Sequence, residues 1–345
     1  MADVTGVYLK KNNKKPFKIL CIDGGGIKGL YSAQILAKFE NIFNCKISDH
    51  FDLICGTSTG GIIALGISLG IPMSDICNFY ETHGPTIFRA KTQKYSLGKY
   101  WHYFKQICYG GKYSNKYLER ALISVFGSRT LQESQNLLCI PAYNITTARP
   151  RVFKKDYNSY TEDDTKKYVD VALATAAAPT YFPVKEINNH QYIDGGVWAN
   201  NPALIGLTEF IMNFANKPEY EGVDILSISS IIKPGNELHK KTDRSFFDWK
   251  DTLFDTFSTG QSCTTDLFIR EIQKQKLFKF PIRYTRIEHS SLSEAQLSAI
   301  DMDKADEKAI KALKVIGEDT GIKFKDNDFV KQMFETLKTY NNDGK

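Results

Sequence analysis

One stretch limits this chain more than any other. Phe51-Asp52-Leu53-Ile54-Cys55 reads as a short apolar strand, runs into Gly56-Thr57-Ser58-Thr59-Gly60, and continues as a helix-like Gly61-Ile62-Ile63-Ala64-Leu65. A Gly-x-Ser-x-Gly between a buried strand and a helix predicts a sharp turn that exposes the Ser58 hydroxyl. Gly56 and Gly60 lack the Cβ atoms that would crowd that turn or an approaching substrate. The helix that follows points its positive N-terminal end at the same place. Taken alone, the pattern also fits a plain turn of small residues.

A second strand-to-helix junction lies upstream. Lys18 to Ile22 reads as a buried strand, Asp23-Gly24-Gly25-Gly26-Ile27-Lys28-Gly29 as a loop, and Leu30 to Phe43 as a helix. Adjacent glycines leave backbone N–H groups uncovered beside a helix N-terminus, which makes a cradle for an anion. Gly24-x-Gly26-x-x-Gly29 also fits the dinucleotide fingerprint. That rival expects an acid about 20 residues on, at the end of a second strand. Asp49 and Asp52 instead flank the start of the strand leading to Ser58, and the rival gives the serine turn no role. Amides of Gly24, Gly25 and Gly26 acting as an oxyanion hole fit better, and such donors often contribute about 3 kcal/mol each.

The third motif is Tyr192-Ile193-Asp194-Gly195-Gly196-Val197-Trp198-Ala199-Asn200-Asn201-Pro202. An Asp-Gly turn is commonplace. Beside the other two motifs, Asp194 becomes the best candidate base. A triad would add a histidine, yet His50, His83, His102, His190, His239 and His289 all lie outside any compact glycine motif. Only His239 and His289 fall where a Ser…Asp…His order would put one.

Asp-Gly-Gly-Gly-x-x-Gly, Gly-x-Ser-x-Gly and Asp-Gly-Gly in this order resemble the patatin-like phospholipase family. Tyr113 to Phe126, Leu137 to Phe153 and Val171 to Pro183 are similar to its intervening segments, so the resemblance spans about residues 17–235. It implies an α/β fold, a three-layer α/β/α sandwich with a mostly parallel central sheet. A catalytic core at 15–235 is expected, with 236–345 as a C-terminal helical extension packed on the same unit. It also implies ester cleavage in acyl lipids by Ser58 as nucleophile and Asp194 as general base, a dyad without histidine. Gly24, Gly25 and Gly26 would form the oxyanion hole, Gly56, Gly60, Gly195, Gly196 and Lys28 would support the motifs, and no metal or other cofactor is expected.

Two departures stand out. Many members carry Arg where this chain has Lys28, exchanging a planar fork for a mobile point charge. Members often end a later strand in Ser-Leu-Gly-Thr-Gly, where Asp224 to Ile231 has no glycine. Within the family, the compact chain and its glycine loop look most like bacterial antiphage effectors. Cyclic di- or oligonucleotides switch such effectors on, and they then degrade the membrane. The expected partners are therefore phospholipid and a cyclic nucleotide, not DNA or RNA, and the expected location is cytoplasmic and peripheral to the membrane. The alternatives are a constitutive lipase or esterase, a triad hydrolase of small soluble substrates, and a catalytically silent lipid- or nucleotide-binding protein.

Composition agrees with these expectations. A chain of 345 residues, 42% hydrophobic, can bury one large α/β core. A net charge of +6 suits anionic partners but is too small to argue for DNA. Gly61 to Ile71 is too short to span a bilayer, and the first residues hold lysines but no apolar signal core. Seven irregularly spaced cysteines suggest free thiols in a reducing compartment. Phe246 to Ile272 and Leu292 to Leu313 read as helical. Between Thr82 and Leu118, seven Lys or Arg and nine aromatics interleave with no acid. Phe88, Tyr95, Tyr100, Trp101, Tyr103, Phe104 and Tyr109 are among the aromatics. The segment fits a helical cap, a membrane face or lid, or an anionic-ligand site.

Overall fold

The run Phe17 to Ile22 is apolar at nearly every position, as a strand covered on both faces must be. It forms the middle of the central sheet in a computed structural model, which describes residues 14–88, 111–233 and 252–340, with positions 242, 243, 245 and 249 between. In chain order the main elements are β1 (Lys15–Ile22), α1 (Gly29–Phe43), β2 (Leu53–Gly56), α2 (Thr59–Ser68), α3 (Met73–Ile87) and α4 (Asn115–Phe126). There follow β3 (Leu137–Asn144), β4 (Arg149–Lys154), α5 (Tyr168–Thr175), β5 (Lys185–Ile187), β6 (His190–Asp194), α6 (Gly196–Ala199), α7 (Ala203–Asn213) and β7 (Tyr220–Ile228). The last are α8 (Leu253–Gln275), β8 (Ile282–Ile287), α9 (Glu294–Ala299), α10 (Glu307–Phe324) and α11 (Asp328–Glu335).

The strands run β5-β6-β3-β2-β1-β7-β8, with β4 paired to β3. Neighbours from β3 to β8 along this order are parallel, whereas β4 and β6 lie antiparallel to β3. Alternate residues of β1 enter opposite cores. Leu20 and Ile22 pack among α1, α2 and α3, and Phe17, Ile19 and Cys21 pack towards α7. This is the expected three-layer α/β/α arrangement.

The segment read as a helical extension also supplies a strand. β8 pairs with β7 in parallel from Val223↔Ile282 to Ile228↔Ile287. Two arginines among its six residues hide it from a hydrophobicity pattern. Arg286 points inward and is buried only because it meets a carboxylate there.

Register then decides what meets at the sheet's upper end. β3 pairs with β2 at Leu137 to Cys139 and with β6 at Ala142 to Asn144, while β4 covers its other edge. β2 and β6 therefore share one edge of β3. Where β2 ends at Gly56, β6 comes back the opposite way and ends at Asp194, which is paired with Ala142.

Candidate active site

The turn after β2 is tight because the chain doubles back onto β1. A Cβ on Gly60 would lie 2.3 Å from the Ile22 carbonyl oxygen, so only glycine fits. Ser58 takes φ 55 and ψ −123, a sparsely populated conformation for a residue with a side chain. Its N–H donates to Thr175 Oγ1 at 3.0 Å, and Thr57 Oγ1 donates to the Ala199 carbonyl at 2.6 Å. The backbone carbonyl of Ser58 accepts the first bond of α2 from Ile62 N–H.

Asp194 lies fully buried at the end of β6. Its Oδ1 accepts the Gly196 N–H at 2.7 Å, and its Oδ2 has no hydrogen-bond partner among the described residues. Burial raises its pKa from 3.8 to about 7, while the nearby Ser58 hydroxyl and the Gly196 amide hold it down. Serine and carboxylate are thus electrostatic neighbours, although no hydrogen bond of ordinary geometry closes between them. Catalytic hydrogen bonds of this kind often tighten only when substrate is bound.

The glycine loop crosses above. Gly24 departs from its expected role, because its N–H donates to the Asn200 carbonyl at 3.2 Å and is not free for an oxyanion. The N–H groups of Gly25 and Gly26 have no acceptor among the described residues. Gly26 has φ +60, and a Cβ there would lie 2.1 Å from the Met302 carbonyl oxygen. Ile27 N–H donates to that oxygen at 2.9 Å, so a residue of the C-terminal segment sets the height of the loop. Below it, Asp23 accepts two bonds from Arg286, at 2.5 and 3.2 Å, and Arg286 also donates to Ser227 Oγ at 2.8 Å. Lys28 Nζ donates to the Ile231 carbonyl at 3.1 Å and lies 3.4 Å from Asp255.

These groups open into a cleft of about 900 Å3, open solvent included. Ser58, Gly25, Gly26, Lys28 and Asn200 line its polar side, and Ile62, Phe79, Ile87, Leu118 and Phe182 its apolar side. Phe254 and Met302 close it from the C-terminal segment. Thr59 Oγ1 and Ser230 Oγ are buried on its wall without a partner among the described residues.

Other expected residues lie elsewhere. No histidine among the described residues lines the cleft. His289 contacts the Ser290 carbonyl and His50 that of Thr336, while His102 and His239 fall outside the described residues. Asp52, the acid a dinucleotide site would have needed, is spent on the N–H groups of Lys18, Thr339 and Tyr340 at the opposite end of the sheet. Of the basic aromatic segment, Phe88 and Leu118 border the cleft. Tyr95, Tyr100, Trp101, Tyr103, Phe104, Tyr109 and the lysines among them lie outside the described residues.

Nothing in the local sequence marks Thr175, Asn200 or Arg286 as part of the site. Asn200 stood within the Asp-Gly-Gly motif without a distinguishing mark. Thr175 was masked by a run of small residues. Arg286 carries no local signal at all.

The chain is similar to several known proteins. The model of the family described as patatin-like phospholipase matches residues 20–207. A Pseudomonas aeruginosa protein named cGAMP-activated phospholipase is 32% identical over 274 residues, covering 78% of this chain and 79% of its own. An Escherichia coli protein of the same name is 28% identical over 357 residues, covering 97% and 96%. Patatin group J-1 of Solanum tuberosum is 25% identical over 336 residues, covering 87% and 82%. With that family model over more than half of the chain and a relative 32% identical across 78% of it, the chain belongs to the patatin-like phospholipase family.

Proposed function

We propose that this chain cleaves a carboxylic ester of membrane phospholipids through an acyl-enzyme on Ser58, with Asp194 as general base, and that a cyclic nucleotide switches it on. The observation that carries the hydrolase reading is the unpartnered Oδ2 of Asp194, in a carboxyl with pKa about 7, beside a serine on a strained turn. An ordinary carboxylate near pKa 4 is a poor base towards a hydroxyl, and burial without a cation makes this one stronger.

In the first half-reaction Asp194 takes the Ser58 proton as Oγ attacks the ester carbonyl carbon. The oxyanion is met by the N–H groups of Gly25 and Gly26, and by that of Thr59 in the first turn of α2, which has no intrahelical acceptor. The C–O bond to the alcohol breaks, and Asp194 returns the proton to the departing oxygen. Water then attacks the acyl ester, Asp194 accepts its proton and passes it to Ser58 Oγ, and the fatty acid leaves. The apolar wall of Ile62, Phe79, Ile87 and Leu118 suits an acyl chain.

The nucleotide trigger rests on the relatives named cGAMP-activated phospholipase, which align with most of this chain. A role in defence, in which the active enzyme damages the cell's own membrane from the cytoplasmic side, follows from that trigger. We assign 15–235 as the catalytic core and 236–345 as an extension of the same unit. The contacts of Met302 and Arg286 with the glycine loop support reading the extension as part of the same unit. No helix among the described residues is long and apolar enough to cross a membrane.

Fatty-acid release from anionic phospholipid vesicles, with and without cGAMP, tests the proposal. Release that needs the nucleotide and vanishes in Ser58→Ala is expected. Equal release without it leaves a constitutive lipase, and release by folded Ser58→Ala refutes the mechanism.

A further inference from the structure

The dyad is built from two distant pieces of chain, and one short segment holds both. Thr175 ends α5 and is fully buried. Its Oγ1 accepts the Ser58 N–H at 3.0 Å and donates to the Pro141 carbonyl at 2.6 Å. Its own carbonyl accepts the Gly195 N–H at 3.3 Å, and the Ala177 carbonyl accepts the Asp194 N–H at 3.0 Å. The nucleophile's backbone is thus fixed by a side chain, and the base's backbone by two carbonyls of the same three-residue segment. The geometry points to Thr175 as a positioning residue that sets the separation of Ser58 from Asp194.

The hydroxyl suits this task because it must accept and donate at once. Ser58 N–H is a donor in a buried, strained turn, and a conformation of this kind costs about 1–3 kcal/mol unless its surroundings hold it. Leaving that N–H unpaired would add the desolvation cost of a buried donor. The Pro141 carbonyl orients the hydroxyl, since it takes the hydroxyl proton and leaves the lone pairs facing Ser58. The threonine methyl fills the space beside Gly61, where a Cβ would lie 2.9 Å from Cγ2. Valine keeps that shape and loses both hydrogen bonds, whereas serine keeps the bonds and loses the methyl.

The inference rests on the dyad mechanism, and its test separates the two. Thr175→Val and Thr175→Ser are purified with the wild type and with Ser58→Ala. Their thermal unfolding is followed, and kcat and KM are measured on a short-chain phospholipid across pH 5–9, with cGAMP if the wild type requires it. For folded Thr175→Val the expected result is a fall in kcat of roughly 100-fold with KM within about twofold, the effect of misplacing a reacting group by about 1 Å. Its acid limb should also move to higher pH, because the hydroxyl that holds the Asp194 carboxyl down is displaced. Thr175→Ser should stay within about threefold of the wild type, with an unchanged pH profile, by retaining the hydrogen bonds. If Thr175→Val does not fold, Thr175→Cys takes its place, since a thiol is a weaker acceptor of similar size, and an intermediate kcat with KM kept is expected. Wild-type kcat and pH profile in folded Val or Cys variants would overturn the inference. So would a Ser variant that falls as far as the Val variant. An active Ser58→Ala would instead refute the dyad itself.

Discussion

Two buried aspartates stand at the same kind of junction and do opposite work. Asp23 ends the strand-like run of β1 and precedes Gly24-Gly25, and Asp194 ends β6 and precedes Gly195-Gly196. Asp23 meets the guanidinium of Arg286 through two hydrogen bonds, with both side chains almost fully buried. Among the described residues Asp194 has no cation beside it, only the Gly196 amide on Oδ1 and the Ser58 hydroxyl near its carboxyl. A paired carboxylate anchors a loop. Burial raises the pKa of both carboxyls, but Arg286 opposes the rise at Asp23, while at Asp194 it reaches about 7, which suits the base role proposed for it. The local sequence, strand-Asp-Gly-Gly, is the same for both, so the difference is made entirely by the partner the fold brings.

The largest expected effect follows from removing the unpaired acid. Asp194→Asn should lower kcat by about 10⁴-fold or more, the scale seen when a member of a catalytic unit is lost. It should leave the fold intact, because no buried cation is stranded. Stability should respond as well. A carboxyl at about 7 in the fold against 3.8 as its ordinary value means that the folded protein holds a proton the unfolded chain has released between those pH values. The contribution of Asp194 to stability therefore falls as pH rises from about 4 to about 7. Asp194→Asn should flatten that part of a denaturation-versus-pH curve, and an unchanged slope would contradict the account.

Removing the cation from the other pair should do the reverse. Arg286→Met leaves Asp23 buried and uncompensated, and should destabilise the protein by about 3–5 kcal/mol in urea titration. Asp23→Asn added to Arg286→Met should recover part of that loss, since the stranded charge goes with it. A fully additive loss would mean that the two residues do not form the unit described.

The smallest effect is a pH profile. In the wild type, kcat/KM should rise with pH through an apparent pKa near 7, as Asp194 loses its proton. Arg286→Met, where folded, should shift this limb little, because Arg286 acts on Asp23 and not on Asp194.

The comparison also marks what was legible in the sequence. Ser58, the glycine loop and Asp194 each announce themselves within seven residues, because a sharp turn demands glycine on the spot. Gly24 does not show its true role, since its N–H partner is the carbonyl of Asn200, far along the chain. β8 was hidden by an inward arginine whose burial makes sense only once Asp23 is known to face it. Thr175 stands in a run of small residues without a local mark, and only the returning path of β6 shows that it spans the site.

The most direct test of the central claim is to stop the reaction during turnover of a phospholipid ester and measure the protein's mass. The account predicts one acyl group in ester linkage on the peptide containing Ser58, absent from Ser58→Ala and from Asp194→Asn. An acyl group on another residue, or on Ser58 at full rate in Asp194→Asn, would contradict it.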